Sequence, residues 1–80
     1  MYVKDAVAKH FDELCRERGI CYNELANISG VPPTTVYCMM KPERRKLHID
    51  VIKKLCDGLE ISLAEFFSAK IFEELEQEIR

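Results

Sequence analysis

Four cysteines and two histidines are the sulfur and imidazole side chains that this 80-residue sequence offers to a metal ion such as zinc. They are Cys15, Cys21, Cys38, Cys56, His10 and His48. No two cysteines form a Cys-x-x-Cys pair, and the histidines are not spaced with them as zinc ligands are. The first ten residues, MYVKDAVAKH, lack the apolar stretch of an export signal, so the thiols should stay reduced. The sequence therefore predicts a soluble, cytoplasmic protein with free cysteines, most of them buried, and with no metal and no other cofactor.

Catalytic patterns are not evident. There is no glycine-rich phosphate loop and no nucleophile with a neighbouring base that the sequence picks out. The longest apolar run, residues 36–40, is far too short to cross a membrane. We expect neither an enzyme nor a membrane protein, and the sequence indicates no small-molecule ligand.

Charged side chains are segregated along the chain. Residues 1–59 contain ten Lys and Arg against eight Asp and Glu, whereas residues 60–80 contain two against six. The densest basic cluster consists of Lys41, Arg44, Arg45, Lys46, Lys53 and Lys54. Such a cluster either lies solvated on a loop or binds the phosphates of a nucleic acid.

Helical segments should position these groups in an all-α, single-domain fold. Apolar residues recur with helical spacing over residues 3–18, and Gly19 supplies the stop. A second helix, with Leu25, Ala26 and Ile28 on its apolar side, is predicted over residues 22–29. A fourth helix has four apolar residues on one face: Ile49, Ile52, Cys56 and Leu59. Ser62 and Glu65 then form a capping box that starts a short fifth helix.

The third helix follows from the stretch GVPPTTVYCMM, residues 30–40. Pro33 restricts Pro32 to the extended backbone that an N-cap needs, and Pro33 itself suits the first helical position. This helix should run from Pro33 to about Met39. Gly30 allows the positive φ of a tight turn, so two short helices meet at a sharp angle. This arrangement is a helix-turn-helix.

Residues 19–67 resemble the Xre-type helix-turn-helix family of phage repressors and bacterial regulators. The likeness rests on six short motifs in order: GI, ELA, SGV, TTV, IKKLCDGLEIS and EFF. The resemblance implies a five-helix, lambda-repressor-like domain over residues 1–69, with an additional C-terminal helix over 70–80. It also implies binding to double-stranded DNA and transcriptional regulation by a dimer, most simply a repressor.

The resemblance assigns roles to individual residues. The base-facing positions of the third helix, residues 33–39, are Pro33, Thr34, Tyr37 and Cys38. The positions near phosphate, in the second helix and the loop after the third, are Tyr22, Asn23, Lys41, Arg44, Arg45 and Lys46. Since the third helix lacks Arg, Gln and Asn, direct base readout should be modest, with Arg44 or Arg45 or DNA shape supplying the rest of the specificity.

The family commonly places glycine at the turn after the fourth helix, where the chain needs a left-handed C′ residue. Here Glu60 occupies that turn, and Gly58 lies inside the helix. If the turn keeps its geometry, Glu60 has a positive φ and is strained relative to glycine.

Several alternatives stay open. Tyr37 can be a half-buried bundle tyrosine, the basic cluster a solvated loop, and Cys38 a thiol sensor. The C-terminal segment has an apolar face formed by Ile71, Phe72, Leu75 and Ile79. This face either forms a dimer interface or folds back on its own domain, and the two are compatible. A second function is a protein-interaction module, antitoxin-like or antirepressor-like, with weak or no specific DNA binding.

Overall fold

The computed structural model describes residues 1–79, which form five α-helices and one 3₁₀ helix. They are α1 (Val3–Arg18), α2 (Tyr22–Ser29), α3 (Pro33–Met40), α4 (Ile49–Gly58), α5 (Leu63–Phe67) and the 3₁₀ helix (Lys70–Glu74). Residues 1–79 contain no strand. The all-α prediction is confirmed, and α1 and α2 have the bounds predicted from the sequence.

One apolar core receives side chains from all five α-helices. Phe11 of α1 and Phe66 of α5 are fully buried, with ring centroids 4.3 Å apart. The other large buried side chains are Val7, Leu25, Val36, Leu55, Cys56 and Leu59. Each buried aliphatic or aromatic side chain stabilises the fold by about 1.5–3 kcal/mol relative to its exposed state. This core holds α3 at a fixed angle to α2 and α4.

Two residues expected on the apolar faces lie at the surface. Ile49 is 62% exposed and Ile28 is 55% exposed. Ile49 is the first residue of α4 and follows an exposed loop, so it precedes the part of α4 that reaches the core. Leu55 is buried beside Cys56 instead.

The N-termini of α3 and α5 have the capping geometry predicted from the sequence. Pro32 caps α3 with φ −62° and ψ 138°, the extended geometry that Pro33 imposes. At α5 the Glu65 amide donates to Ser62 Oγ at 3.0 Å, and the Ser62 amide donates to Glu65 Oε1 at 3.1 Å. The predicted capping box is confirmed.

Three helices end in a left-handed residue. The φ angles are 65° at Gly19 after α1, 70° at Gly30 after α2 and 60° at Glu60 after α4. At the last of these turns the Ile61 amide donates to the Cys56 carbonyl at 3.0 Å, as in a Schellman motif. The left-handed geometry predicted for Glu60 is confirmed.

Gly58 of α4 lies against Ser29 of α2. A Cβ at this position would lie 2.2 Å from Oγ and 3.1 Å from Cα of Ser29. The Ser29 hydroxyl is itself buried and has no hydrogen-bond partner among residues 1–79. Glycine is thus needed at position 58 for a close approach of two helices, and not for its backbone angles.

The prediction of a C-terminal helix over residues 70–80 is wrong. Only Lys70–Glu74 is helical, as a 3₁₀ helix, and residues 75–79 are not helical. The end of that prediction, Arg80, lies outside the described residues. The Phe72 ring, in this 3₁₀ helix, packs against Phe66 and Phe67 at centroid distances of 5.5 and 4.9 Å.

Beyond the 3₁₀ helix the chain runs back along the start of α1. The Glu76 amide donates to the Met1 carbonyl at 3.0 Å, and Glu78 Oε2 accepts the Val3 amide at 3.0 Å. Four glutamates between positions 73 and 78 would repel one another along a helix. These tertiary contacts outweigh the helix propensity of the segment.

Candidate nucleic-acid interface

Helices α2 and α3 form one rigid pair. Leu25 and Ala26 of α2 and Val36 of α3 are fully buried between the helices and the core, and Val31 in the connecting turn is 7% exposed. The left-handed Gly30 reverses the chain direction, and only three residues separate the end of α2 from the start of α3. The outward face of α3 is therefore held at a fixed orientation.

That outward face contains the residues assigned to bases. Pro33 and Thr34 in the first turn are exposed, and Tyr37 one turn later is 44% exposed. Cys38 is only half-buried and lies toward the following loop. The first turn of α3 offers a methyl-bearing hydroxyl and a proline ring, and the second turn offers a phenol.

Tyr22 begins α2 and lies beside Tyr37. The two rings make an edge-to-face contact, with centroids 5.5 Å apart and planes at 72°. The Tyr22 hydroxyl donates to Asp12 Oδ1 of α1 at 2.5 Å. Burial and this bond to a carboxylate raise the pKa of Tyr22 to about 12. Its neighbour Asn23 is exposed at the second position of α2.

An open groove of about 790 Å³ separates α3 from the loop that follows it. Its α3 side consists of Thr34, Thr35, Cys38 and Met39, and its loop side consists of residues 43–48. The floor is apolar, with Met39, Leu47 and Val51, while Arg44 and Lys46 are exposed at the rim. Cations and hydroxyls thus face each other across a groove beside the outward face of α3.

The basic loop, residues 41–48, carries the cations predicted to meet phosphate. Lys41, Arg44 and Lys46 are exposed, and none of them forms an ion pair within residues 1–79. Their positive charge is therefore not neutralised by the protein itself. Lys53 and Lys54 on α4 are also exposed, but Lys53 pairs with Asp57 one turn away.

Arg45 differs from the other cations of the basic loop. Its guanidinium binds both carboxylate oxygens of Asp5 on α1, at 2.9 and 3.0 Å, and also donates to the Pro42 carbonyl at 2.9 Å. The bidentate Arg45 contact, with the Tyr2 amide, holds the pKa of the Asp5 carboxyl well below its usual range. Arg45 connects the loop to α1.

Lys4 provides a second connection. Its side chain is buried, and Nζ donates to the Lys41 carbonyl at 2.7 Å, at the C-terminus of α3. Burial lowers the pKa of Lys4, with the nearby Arg45 guanidinium contributing. A cation at this helix end also suits the direction of the helix dipole. The basic loop is thus held to α1 at both Lys41 and Arg45.

Sequence reasoning missed Lys4, Asp5 and Asp12. Asp5 is separated from Arg45 by 40 residues, and Lys4 from Lys41 by 37. Both occupy helix positions that read as ordinary first-turn charges, so no local pattern indicates their partners. Asp12 reads as a solvated charge on α1, paired with Arg16 at 3.1 Å.

The apolar face predicted to form a dimer interface is partly buried in the monomer and partly exposed. Phe72 packs on the aromatic residues of α5, and Ile71 and Leu75 are half-buried. Ile79 is 82% exposed. Phe72 therefore folds back on its own domain, as one of the two alternatives predicts. Ile79 remains exposed, so it could still contact a second copy of the chain.

The remaining chemistry-bearing groups form no second site within residues 1–79. The four cysteines are unpaired, and burial raises the pKa of Cys15 and, to about 11, that of Cys56. No cluster of His, Cys, Asp and Glu in residues 1–79 has the geometry of a metal site. Over the same residues, no helix has the length and apolar character needed to cross a bilayer.

The helix pair and its exposed outer face define a helix-turn-helix domain. The sequence profile of the Cro/C1-type HTH DNA-binding domain matches residues 10–70. This chain belongs to that family, whose members are DNA-binding regulators, and the Xre-type resemblance is confirmed.

Solved structures share the fold over nearly the whole chain. Prophage Lp1 protein 11 has a TM-score of 0.81 and 28% identity, covering 94% of this chain and 100% of that one. The wild-type restriction-modification controller protein C.Esp1396I has a TM-score of 0.79 and 24% identity, covering 98% and 99%. A variant of that controller bound to its highest affinity operator site has a TM-score of 0.77 and 23% identity, covering 92% and 95%. No curated protein matches the chain.

Proposed function

We propose that this protein is a dimeric transcriptional repressor that inserts α3 into the major groove and contacts phosphates with the basic loop. The observation that carries the proposal is the position of Lys41, Arg44 and Lys46. They are exposed and unpaired within residues 1–79, and Arg44 and Lys46 line the groove beside the outward face of α3. Free cations next to an exposed helix suit a polyanion whose grooves admit a helix.

Base contacts come from Pro33, Thr34 and Tyr37. The Thr34 and Tyr37 hydroxyls can donate to or accept from base edges, and Pro33 can touch a thymine methyl. Cys38 lies deeper, against the groove, and contributes less. With no bidentate reader on α3, the protein selects its site partly through DNA shape.

Phosphate contacts come from Lys41, Arg44, Lys46 and the exposed Asn23 at the start of α2. Arg45 is occupied by Asp5, so its role is to hold the loop in place. The Tyr22 hydroxyl is bonded to Asp12, so Tyr22 makes no phosphate contact and acts through its ring, which packs against Tyr37. A controller protein of the same fold has been solved on an operator, which supports DNA as the partner.

Dimerisation completes the proposal, since two-fold operators are read by two copies at fixed spacing. Ile79, with the exposed parts of Ile71 and Leu75, supplies the apolar surface; Phe72 supports it from the monomer core.

Selection from a random duplex pool tests DNA binding. The parent protein should enrich one sequence, and log K for that duplex should fall linearly with log salt at a slope of about −0.9 for each phosphate contact. A fluorescent reporter placed behind the enriched duplex should be repressed in cells. Enrichment of no sequence and no salt dependence would contradict the proposal.

A protein-interaction module is the second candidate. The observation that favours it is the outward face of α3, which lacks Arg, Gln and Asn. In that case the selection would enrich no sequence, and any DNA binding in the salt titration would be weak and independent of sequence.

A further inference from the structure

A chain of side-chain contacts runs from α1 through α2 to the outward face of α3. Arg16 pairs with Asp12 at 3.1 Å, Asp12 accepts the Tyr22 hydroxyl at 2.5 Å, and the Tyr22 ring meets the Tyr37 ring. The three helices are thus connected at one point by polar and aromatic contacts outside the core.

Tyr22 is restrained at both of its ends. Its backbone begins α2, and its hydroxyl is bonded to a carboxylate on another helix. Bonds between a hydroxyl and a carboxylate are shorter and stronger than neutral ones, so the ring has one orientation. The Tyr22 ring therefore offers Tyr37 a surface whose position and orientation are fixed.

Tyr37 has no such bond of its own. It is 44% exposed, and its hydroxyl takes part in no hydrogen bond within residues 1–79. An exposed aromatic side chain populates more than one rotamer unless a neighbour favours one. The edge-to-face contact with the Tyr22 ring favours a single rotamer of Tyr37.

A phosphate contact by the Tyr22 hydroxyl conflicts with this geometry. The hydroxyl already donates to Asp12, so a phosphate would have to displace that bond next to a negative carboxylate. Like charges this close repel, and the raised pKa of Tyr22 reflects how firmly its proton is held.

We propose that Asp12 and Tyr22 are positioning residues that hold the Tyr37 ring in the orientation in which it meets a base pair. The inference rests on the proposed function, in which Tyr37 faces the bases. It assigns specificity to a residue of α1 that never contacts DNA.

The first test uses the DNA-free protein. Side-chain couplings and ring-to-ring nuclear Overhauser effects measured by NMR should report one Tyr37 rotamer in the parent and rotamer averaging in Tyr22→Ala. Asp12→Ala should give partial averaging, whereas Asp12→Asn, which keeps an acceptor, should stay close to the parent. A single, unchanged Tyr37 rotamer in Tyr22→Ala would overturn the proposal.

The second test uses two duplexes, the one enriched by the parent protein and a scrambled duplex of the same composition. Tyr22→Phe retains the ring and the fold, and Tyr22→Ala removes the ring. Both should bind the enriched duplex more weakly, by about 2- to 10-fold for Tyr22→Ala, the range of one aromatic pair. Binding to the scrambled duplex and the salt slope should not change, because no phosphate contact is lost.

The outcomes separate positioning from other roles. The effect of Tyr22→Ala should disappear in a Tyr37→Ala background, because both changes act through one ring. Equal weakening on both duplexes, with a slope lowered by about 0.9, would instead identify a phosphate contact and overturn the proposal. A parent protein that enriches no duplex would refute the proposed function. Equal binding of an enriched duplex by parent and Tyr22→Ala would refute the positioning role alone.

Discussion

Glu60 is the one residue other than glycine with a positive φ among residues 1–79, at 60°. An L-residue in this region is strained by about 1 kcal/mol or more, because its Cβ approaches the following carbonyl. The Glu60 side chain is exposed and forms no hydrogen bond or ion pair within residues 1–79 that would offset the strain. The strain is therefore local to the backbone.

We expect Glu60→Gly to stabilise the protein by a few tenths to about 1 kcal/mol, since the more flexible unfolded chain offsets part of the relief. Glu60→Val should destabilise it, because a β-branched residue tolerates positive φ poorly. Denaturant midpoints measure both effects. Gly19→Ala is the matched control: its Cβ would touch nothing within 4 Å, so it tests backbone strain alone. A Glu60→Gly variant less stable than the parent would contradict this account.

Arg44 and Arg45 are adjacent in sequence but differ in their partners. Arg44 is exposed and unpaired within residues 1–79, whereas Arg45 binds Asp5. On the enriched duplex, Arg44→Ala should lower the salt slope by about 0.9 and leave the unfolding midpoint unchanged. Arg45→Ala should lower the unfolding midpoint and leave the slope close to that of the parent. A reversed pattern would show that Arg45 is the residue on phosphate.

At the scale of elements, the contact between α2 and α4 depends on the absence of a Cβ at Gly58. Gly58→Ala should destabilise the protein by about 1–3 kcal/mol, although alanine favours helices, because the new methyl overlaps Ser29. Ser29→Ala removes a buried hydroxyl without a partner and should be neutral or slightly stabilising. Ser29→Ala should gain more in the Gly58→Ala background, and additive effects in this double-mutant cycle would contradict the overlap.

The contact between α1 and the basic loop should depend on pH. The pKa of Asp5 is lowered in the folded protein, so its contribution to stability is present above the unfolded value of about 3.9 and is lost as pH falls below it. Asp5→Asn should therefore lower the unfolding midpoint at pH 7 but approach the parent midpoint in strong acid. Asp50→Asn, on the exposed first turn of α4, removes a carboxylate that forms no ion pair within residues 1–79 and is the control for loss of a surface charge. A constant difference at all pH values would refute the role of the ionised carboxylate.

Much of this element structure is predictable from the sequence because its causes are local. Pro33 sets the start of α3, and Ser62 with Glu65 sets the start of α5. The left-handed turn at Glu60 is expected from the family resemblance instead. The contacts of Lys4, Asp5 and Asp12 are not predictable in this way, because their partners lie on other helices. The helix predicted over 70–80 is wrong for the same reason, because Glu76 and Glu78 bond to Met1 and Val3 at the far end of the sequence.

At the scale of the molecule, the C-terminal segment combines an internal and an external role. Phe72→Ala should lower the free energy of unfolding by about 1–3 kcal/mol, less than for a fully buried ring, without changing self-association of the folded protein. Ile79→Asp should weaken self-association in sedimentation experiments, and it should leave unchanged the unfolding midpoint measured at protein concentrations where the parent is monomeric. An intact chain that stays monomeric at high concentration would refute the dimer, and a chain ending at Lys70 should be less stable than the parent.

The connections of the basic loop have a consequence for any attempt to transplant this DNA-reading unit. The segment from α2 through the loop contains every residue assigned to DNA, but Lys41 and Arg45 are anchored to Lys4 and Asp5, and Tyr22 is anchored to Asp12. Grafted onto another scaffold, the two helices would keep their angle and lose the direction of both the loop and Tyr37. The portable unit is therefore α1 through the basic loop, and α1, which supplies no DNA contact, has to accompany it.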